Sequence, residues 1–459
     1  MPAKYDALVI GTGQAGPALA HRLAATGWKT AVVERHKFGG TCVNTGCIPT
    51  KTLLASARAA YVARRAADYG VTIGGEVSLD MARVKARKDA ISSKSSQGLE
   101  RSLKTLEHAT VYEGHARFIG PHTVVVGNQT LEAERIFINV GARAFVPDLP
   151  GLGDVPYLTN SRMMEVDFLP EHLIVIGGSY VGLEFGQMYR RFGSKVTIVE
   201  QGPRLISRDD EDVSAAVKEI LEAEDIEIRL DAECLSAASR NGQVAVGLEC
   251  LAGAPETVGS HLLLAVGRRP NTDDLGLDLA GVETNARGYI TVDDQLRTSA
   301  DGIWALGDCN GQGTFTHTSY NDFEIVAANL LDDDPRRVSD RILIYGLFID
   351  PPLGRAGMTE AQVRASGKTA LIAKRPMSRI ARAIERGETQ GFMKILVDAD
   401  SKLILGAAVL GINGDEIVHS ILDIMYAKVP YTVIQRAVHA HPTVTELIPT
   451  MLAELKPLE

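Results

Sequence analysis

Apolar residues along this 459-residue chain come in short runs, each closed by a glycine or an acid. Asp6-Ala7-Leu8-Val9-Ile10 predicts a strand, the residues from Gly16 to Leu23 a helix, and Thr30-Ala31-Val32-Val33 a second strand. The same succession begins again at His172-Leu173-Ile174-Val175-Ile176 and ends in Lys195-Val196-Thr197-Ile198-Val199. Repeated strand–helix–strand order predicts parallel α/β sheets. A further apolar strand, Ile303-Trp304-Ala305-Leu306, runs into Gly307-Asp308; ahead of it, Val266-Gly267-Arg268-Arg269-Pro270-Asn271-Thr272 reads as a turn-rich stretch with two cations. After the charged linker Asp332-Asp333-Asp334-Pro335 the pattern changes. Lys394-Ile395-Leu396-Val397 and Leu403-Ile404-Leu405-Gly406-Ala407 are strands, and Asp415 to Ala427 is an amphipathic helix.

Glycines stand where both α/β units must turn. In the first, Gly11-Thr12-Gly13-Gln14-Ala15-Gly16 supplies a tight turn, close approach of backbone to a pyrophosphate and close helix packing, while the helix N-terminus offers free amides to phosphate. Glu34 ends the second strand, placed to accept ribose hydroxyls. In the second unit the motif is Gly177-Gly178-Ser179-Tyr180-Val181-Gly182 and the acid is Glu200. Ser179 replaces the middle glycine and slightly hinders a pyrophosphate. Glu200 favours NADH by repelling a 2′-phosphate, although Arg204 and Arg208 leave NADPH open.

Cys42 and Cys47 lie in Gly39-Gly40-Thr41-Cys42-Val43-Asn44-Thr45-Gly46-Cys47-Ile48-Pro49-Thr50-Lys51, just past the first glycine motif. A disulfide needs Cα atoms roughly 4.4–6.8 Å apart, far less than the extended chain spans, so the segment must coil. Pro49 would crowd the Thr45 carbonyl and distort a helix there. Cys234, Cys250 and Cys309 are scattered and supply no second ligand pair, so no metal site is expected.

Composition narrows the setting. The net charge of −9 leaves no footprint for nucleic acid, and the basic cluster Arg83, Lys85, Arg87 and Lys88 reads as a solvated helix face. No apolar run nears the roughly 20 residues that cross a bilayer, and the start lacks a signal peptide's apolar stretch. A cytoplasmic protein with no membrane partner is expected.

Taken together, these motifs resemble the flavoprotein pyridine nucleotide-disulfide oxidoreductases, the group of dihydrolipoamide dehydrogenase, glutathione reductase and mercuric reductase. The resemblance implies an α/β fold: two Rossmann-like dinucleotide-binding domains, for FAD and NAD(P), plus a C-terminal α+β dimerisation domain. Residues 1–145 would be the first part of the FAD-binding domain, 146–266 the NAD(P)-binding domain, 267–337 the second part of the FAD-binding domain, and 338–459 the dimerisation domain. By resemblance, Gly11, Gly13, Gly16, Glu34, Gly40, Thr41, Lys51, Gly114, Asp308, Thr316 and His317 serve FAD. Gly177, Ser179, Tyr180, Gly182, Glu200 and Gly267 serve NAD(P). Cys47 would be the thiolate against the flavin, Cys42 the interchange thiol, and Lys51–Glu184 an ion pair beside the flavin. His441 would be the general base, oriented by Glu446 across a helix start whose first turn suits Pro442, and it would come from the partner subunit. An obligate homodimer with shared active sites follows.

The acceptor is less marked. The chain ends without the vicinal cysteines of mercuric reductase, while Phe348 to Thr359 resembles the bacterial reactive-chlorine-resistance flavoproteins. Electrons are expected to pass from NAD(P)H through FAD to the Cys42–Cys47 disulfide, then to a disulfide, metal ion or other small oxidant. The alternatives are a dihydrolipoamide dehydrogenase and, in another class, a redox sensor without disulfide turnover.

Overall fold

The computed structural model describes residues 1–250 and 253–459. Its first sheet has seven strands, in the spatial order 109–113, 30–34, 3–10, 129–138, 123–126 and 116–120, with Ile303–Ala305 also pairing to 129–138. Strands 109–113, 30–34, 3–10, 129–138 and 303–305 are parallel. Every residue of Thr30–Glu34 is buried, as a parallel sheet covered on both faces requires. Helix Ala15–Ala25 buries Leu19 and Leu23 against one face, beside helix Thr316–Leu331.

The second sheet is parallel throughout, in the order 227–229, 195–199, 172–176, 261–264, 157–158. Alternate residues of its strands divide between two cores. Leu173, Val175, Val196 and Ile198 meet helices Tyr180–Phe192 and Glu211–Glu222. Ile174, Ile176, Val199, Leu262 and Leu264 meet an antiparallel meander built from Ala232–Arg240, Gln243–Cys250 and Glu256–Gly259. The third sheet is antiparallel, in the order 344–347, 353–357, 404–410, 392–398, 370–376, 456–457, and helix Gly414–Tyr426 packs on it.

Charges as well as apolar contacts join the second and third sheets. Arg355, 1% exposed, pairs with Asp210 at 2.7 Å, while Lys394, also 1% exposed, pairs with Asp210, Asp212 and Glu360 at 2.6–2.8 Å. The three carboxylates are thus committed to cations of the fold.

Three local expectations change. Arg268–Pro270 is a strand, paired antiparallel to Ala142–Ala144 rather than left as turns. Lys88 is not solvated: on helix Met81–Lys104 it is 2% exposed and donates to the Met164 carbonyl at 2.5 Å. Pro442 is not in a first helical turn, because the helix starts at Leu447 with Glu446 as its N-cap. The expected amphipathic helix is present as Gly414–Tyr426. Among the described residues no helix is long and apolar enough to cross a membrane.

Candidate active site

The first glycine loop is closed to side chains by backbone. A Cβ on Gly11 (φ +100°) would lie 2.3 Å from the Asn139 carbonyl oxygen, and one on Gly16 would lie 2.2 Å from that of Gly11. Glu34 holds the loop from below. Thr12 donates its N–H and its hydroxyl to Glu34 Oε2 at 3.0 and 2.5 Å, and the His36 N–H reaches Oε1 at 2.9 Å. Gly114, at φ +153°, donates its N–H to the Glu34 carbonyl.

The cysteine segment docks directly on this loop. Left-handed Gly39 donates its N–H to the Thr12 carbonyl at 3.1 Å, and a Cβ on Gly40 would lie 3.0 Å from Gly13 Cα. Helix Gly40–Asn44 carries Thr41 and Cys42, and helix Cys47–Arg64 begins at the second cysteine. The distortion expected at Pro49 is a break between two helices, at Thr45 and Gly46, which leaves Pro49 in a first turn where its missing N–H costs nothing. A Cβ at Gly46 would lie 2.9 Å from the Thr41 carbonyl oxygen.

Both cysteines are free thiols, Cys42 half-buried and Cys47 exposed. Their acidities are split. The neighbouring Cys42 thiol, opposed by burial and helped by the Thr316 hydroxyl and the Lys51 ammonium, lowers Cys47 to about 6. The neighbouring Cys47, then burial, pushes Cys42 up. Thr316 Oγ1 is 3.0 Å from Cys47 Sγ, at the start of helix Thr316–Leu331. Lys51 Nζ is 2.8 Å from Glu184 Oε2, a carboxylate with only 8% of its side chain exposed. His317 donates to the Ile344 carbonyl at 2.7 Å, and burial holds its imidazole below its ordinary range. Asp308 faces Arg268 Nε at 3.3 Å, and burial pushes its carboxyl up.

The second glycine loop repeats the first. Cβ atoms on Gly177 (φ +113°) and Gly182 would lie 2.4 and 2.0 Å from the carbonyl oxygens of Ala265 and Gly177. Glu200 accepts the N–H of Gly178 at 2.6 Å and of Gly202 at 2.8 Å. Ser179 caps the helix in extended backbone (φ −118°), so its side chain brings no strain. Tyr180 packs edge-on against Phe315 and Tyr345, and burial pushes its phenol up to about 12. Gly267 (φ +130°) accepts the Phe145 N–H at 2.9 Å, where the chain returns from the second sheet to the first.

His441 and Glu446 meet as expected: Nδ1 donates to both carboxylate oxygens at 3.0 Å, leaving Nε2 free for a proton. The imidazole is 74% exposed, and no hydrogen bond among the described residues joins it to either thiol of its own chain.

Two site residues went unread in the sequence. Asn139, 5% exposed, accepts the Gly16 N–H at 3.0 Å and donates to the Leu306 carbonyl at 2.9 Å, tying the first glycine loop to the Gly307-Asp308 turn. Its signal was a polar residue ending the apolar run Ile136-Phe137-Ile138. Asp209 accepts the Tyr345 hydroxyl at 2.8 Å, and no local pattern announced that pairing.

Residues 5–322 match the pyridine nucleotide-disulphide oxidoreductase family, and residues 345–452 match its dimerisation domain. The Escherichia coli (strain K12) protein named "Probable pyridine nucleotide-disulfide oxidoreductase RclA" is 35% identical, covering 99% of this chain and 100% of that relative. A dihydrolipoyl dehydrogenase of Thermus scotoductus is 32% identical, covering 96% of this chain and 95% of the relative. Among solved structures, the "Cu(II) complex of HOCl-induced flavoprotein disulfide reductase RclA from Escherichia coli" superposes with a TM-score of 0.90 at 34% identity, over 99% of this chain and 100% of that one.

Proposed function

The chain belongs to the pyridine nucleotide-disulphide oxidoreductase family, and from that premise we propose that Cys42 and Cys47 cycle between dithiol and disulfide to reduce a small oxidant. It is an oxidoreductase with FAD and a pyridine nucleotide as its cofactors. The observation that carries the reading is the placement of two free thiols on helices Gly40–Asn44 and Cys47–Arg64, docked on the first glycine loop, with the Thr316 hydroxyl 3.0 Å from Cys47 Sγ.

The residues fit both nucleotides. Each glycine loop leaves no room for a Cβ at its first and last glycine, as the tight turn and close helix packing of a dinucleotide-binding loop require. In our assignment the first loop, Glu34, Gly114 and Asp308 hold FAD, and the second loop with Glu200 holds the nicotinamide nucleotide. Bound there, FAD supplies two-electron chemistry between the nicotinamide and the thiols. NADH is favoured: Arg204 is engaged by the Ser207 carbonyl at 3.0 Å and by Glu211 at 3.2 Å.

With a disulfide acceptor, Cys42 gives its proton to His441 of the partner subunit as its sulfur attacks one sulfur of the acceptor, and the other sulfur leaves as thiolate and takes that proton back. The Cys47 thiolate then attacks Cys42, forming the internal disulfide and releasing the second thiol, so two electrons leave the pair. A one-electron metal acceptor would be reduced in two equivalents. The homodimer with shared sites is supported by the dimerisation-domain match and by the exposed His441–Glu446 pair. This chemistry suits the cytoplasm, where thiols are kept reduced.

For the acceptor we favour a metal ion or small stress-linked oxidant, on the full-length likeness to RclA and the Phe348–Thr359 segment. Lipoamide is the second reading, favoured by Glu200 and the dihydrolipoyl dehydrogenase likeness. Turnover with NADH and NADPH against Cu(II), Hg(II), lipoamide, glutathione disulfide and quinones decides between them. Metal-ion reduction abolished by Cys42→Ser and Cys47→Ser is expected, whereas efficient lipoamide turnover would reverse the ranking.

A further inference from the structure

The segment Phe348–Asp350, in the loop joining strands 344–347 and 353–357 of the third sheet, meets the two helices that carry the Lys51–Glu184 pair. On the cysteine helix, Lys51 and Arg58 are about two turns apart on one face; on the second-motif helix, Glu184, Gln187 and Arg191 share a face in the same way. Asp350 anchors the segment to both. Its carboxylate pairs with Arg58 at 2.6 Å and with Arg191, and its N–H donates to Gln187 Oε1 at 2.7 Å. Phe348 then does two things at the ion pair. Its N–H donates to Glu184 Oε1 at 3.0 Å, the oxygen Lys51 does not use. Its ring lies under the ammonium, with Nζ 4.2 Å from the centroid. Gly346 leaves space for the ring, since a Cβ there would lie 3.1 Å from the ring edge.

We propose that Phe348 is a positioning residue: its ring holds the Lys51 ammonium beside Cys47 and so sets how readily that thiol ionises. The inference rests on the reading of Cys47 as the working thiolate. Around Cys47 stand Cys42 from helix Gly40–Asn44, Thr316 from the start of helix Thr316–Leu331, and Lys51 one turn along Cys47's own helix, with Glu184 of helix Tyr180–Phe192 paired to Lys51. Of these, Lys51 alone is a cation, and it is long and flexible, with 35% of its side chain exposed. Glu184 draws it by charge, but a carboxylate can be met from many directions. The ring face adds a second attraction that restricts the ammonium to one place.

The test is the pH profile of alkylation of Cys47 and Cys42 in the reduced holoenzyme, read separately for each cysteine by peptide mass spectrometry. Phe348→Leu should raise the Cys47 midpoint by about half to one pH unit, the scale of one lost cation–π contact. Phe348→Tyr, which keeps a ring face, should restore it. Gly346→Ala retains every atom of Phe348 but crowds its ring, and should move the midpoint the same way by less. Two results would overturn the proposal. One is an unmoved Cys47 midpoint in folded Phe348→Leu and Gly346→Ala. The other is a wild type without a low-pH Cys47 wave, which would remove the thiolate reading as well.

Discussion

The two glycine loops share a backbone and differ in one side chain behind it. In the first, Asn139 follows the fourth-ranked strand of the sheet and its amide fills the space under Gly13, where a Cβ would come 2.9 Å from Oδ1. In the second, the equivalent strand His261–Leu264 is followed by Ala265, whose N–H reaches the Ile176 carbonyl as that of Asn139 reaches the Ile10 carbonyl. Ala265 has nothing to place under the loop, and Ser179 stands there without strain. Packing is therefore one reason for glycine at position 13, beside any approach of a pyrophosphate: Asn139 occupies the space beneath it and ties the loop to the Gly307-Asp308 turn through the Leu306 carbonyl. One loop is a fixed socket, the other an independent one.

The largest effects should come from breaking what the loops share. Gly16→Ala and Gly182→Ala each drive a methyl into a backbone carbonyl, a cost of about 1–3 kcal/mol or more. Gly16→Ala should purify with little flavin, seen in the ratio of flavin to protein absorbance. Gly182→Ala should keep its flavin and lose reduction by NADH. Next comes the difference itself. Asn139→Ala removes two buried hydrogen bonds and should cost about 1–3 kcal/mol in thermal or denaturant unfolding, with flavin more easily released. Gly13→Ser should be as harmful in the native background but tolerated in Asn139→Ala, whereas Ser179→Gly should change little. An additive double mutant would contradict the account of the loop.

Smaller effects distinguish the acids. Glu34 accepts from Thr12 and His36 while buried at 8% exposure, so Glu34→Ala should destabilise more than Glu200→Ala. Glu200→Ala should instead raise the kcat/KM ratio of NADPH to NADH by on the order of tenfold, through lost like-charge repulsion. A pH slope also belongs to the first unit alone. Cys47 is depressed to about 6 from 9.0, so its ionised form favours the folded protein above pH 9.0. That contribution fades as pH falls from 9.0 toward about 6, and Cys47→Ser should flatten the slope in unfolding measured on reduced protein.

Much of this could be read from local pattern. The glycine turns, the acids at strand ends, the thiol spacing and the His441–Glu446 pair are set by neighbours in sequence, and the structure brings each group together. What stayed hidden depends on partners far along the chain. Asn139 meets Gly16 and Leu306, Tyr345 meets Asp209, and Phe348 meets Lys51 and Glu184; a lone polar or aromatic residue at a strand end carries no mark of its distant partner. Lys88 misled for the same reason: its helix pattern is solvent-facing, and the Met164 carbonyl that buries it comes from elsewhere. Pro442 suited a helix start, but the helix begins later, and its carbonyl instead accepts from Arg382.

The central claim is that the two thiols turn over as a redox pair, and anaerobic titration with NADH tests it most directly. Starting from oxidised holoenzyme, uptake of two electrons beyond those its flavin alone accepts is predicted, with Cys42 and Cys47 becoming newly alkylatable together. Reduction that stops at the flavin, with neither cysteine newly reactive, would contradict it.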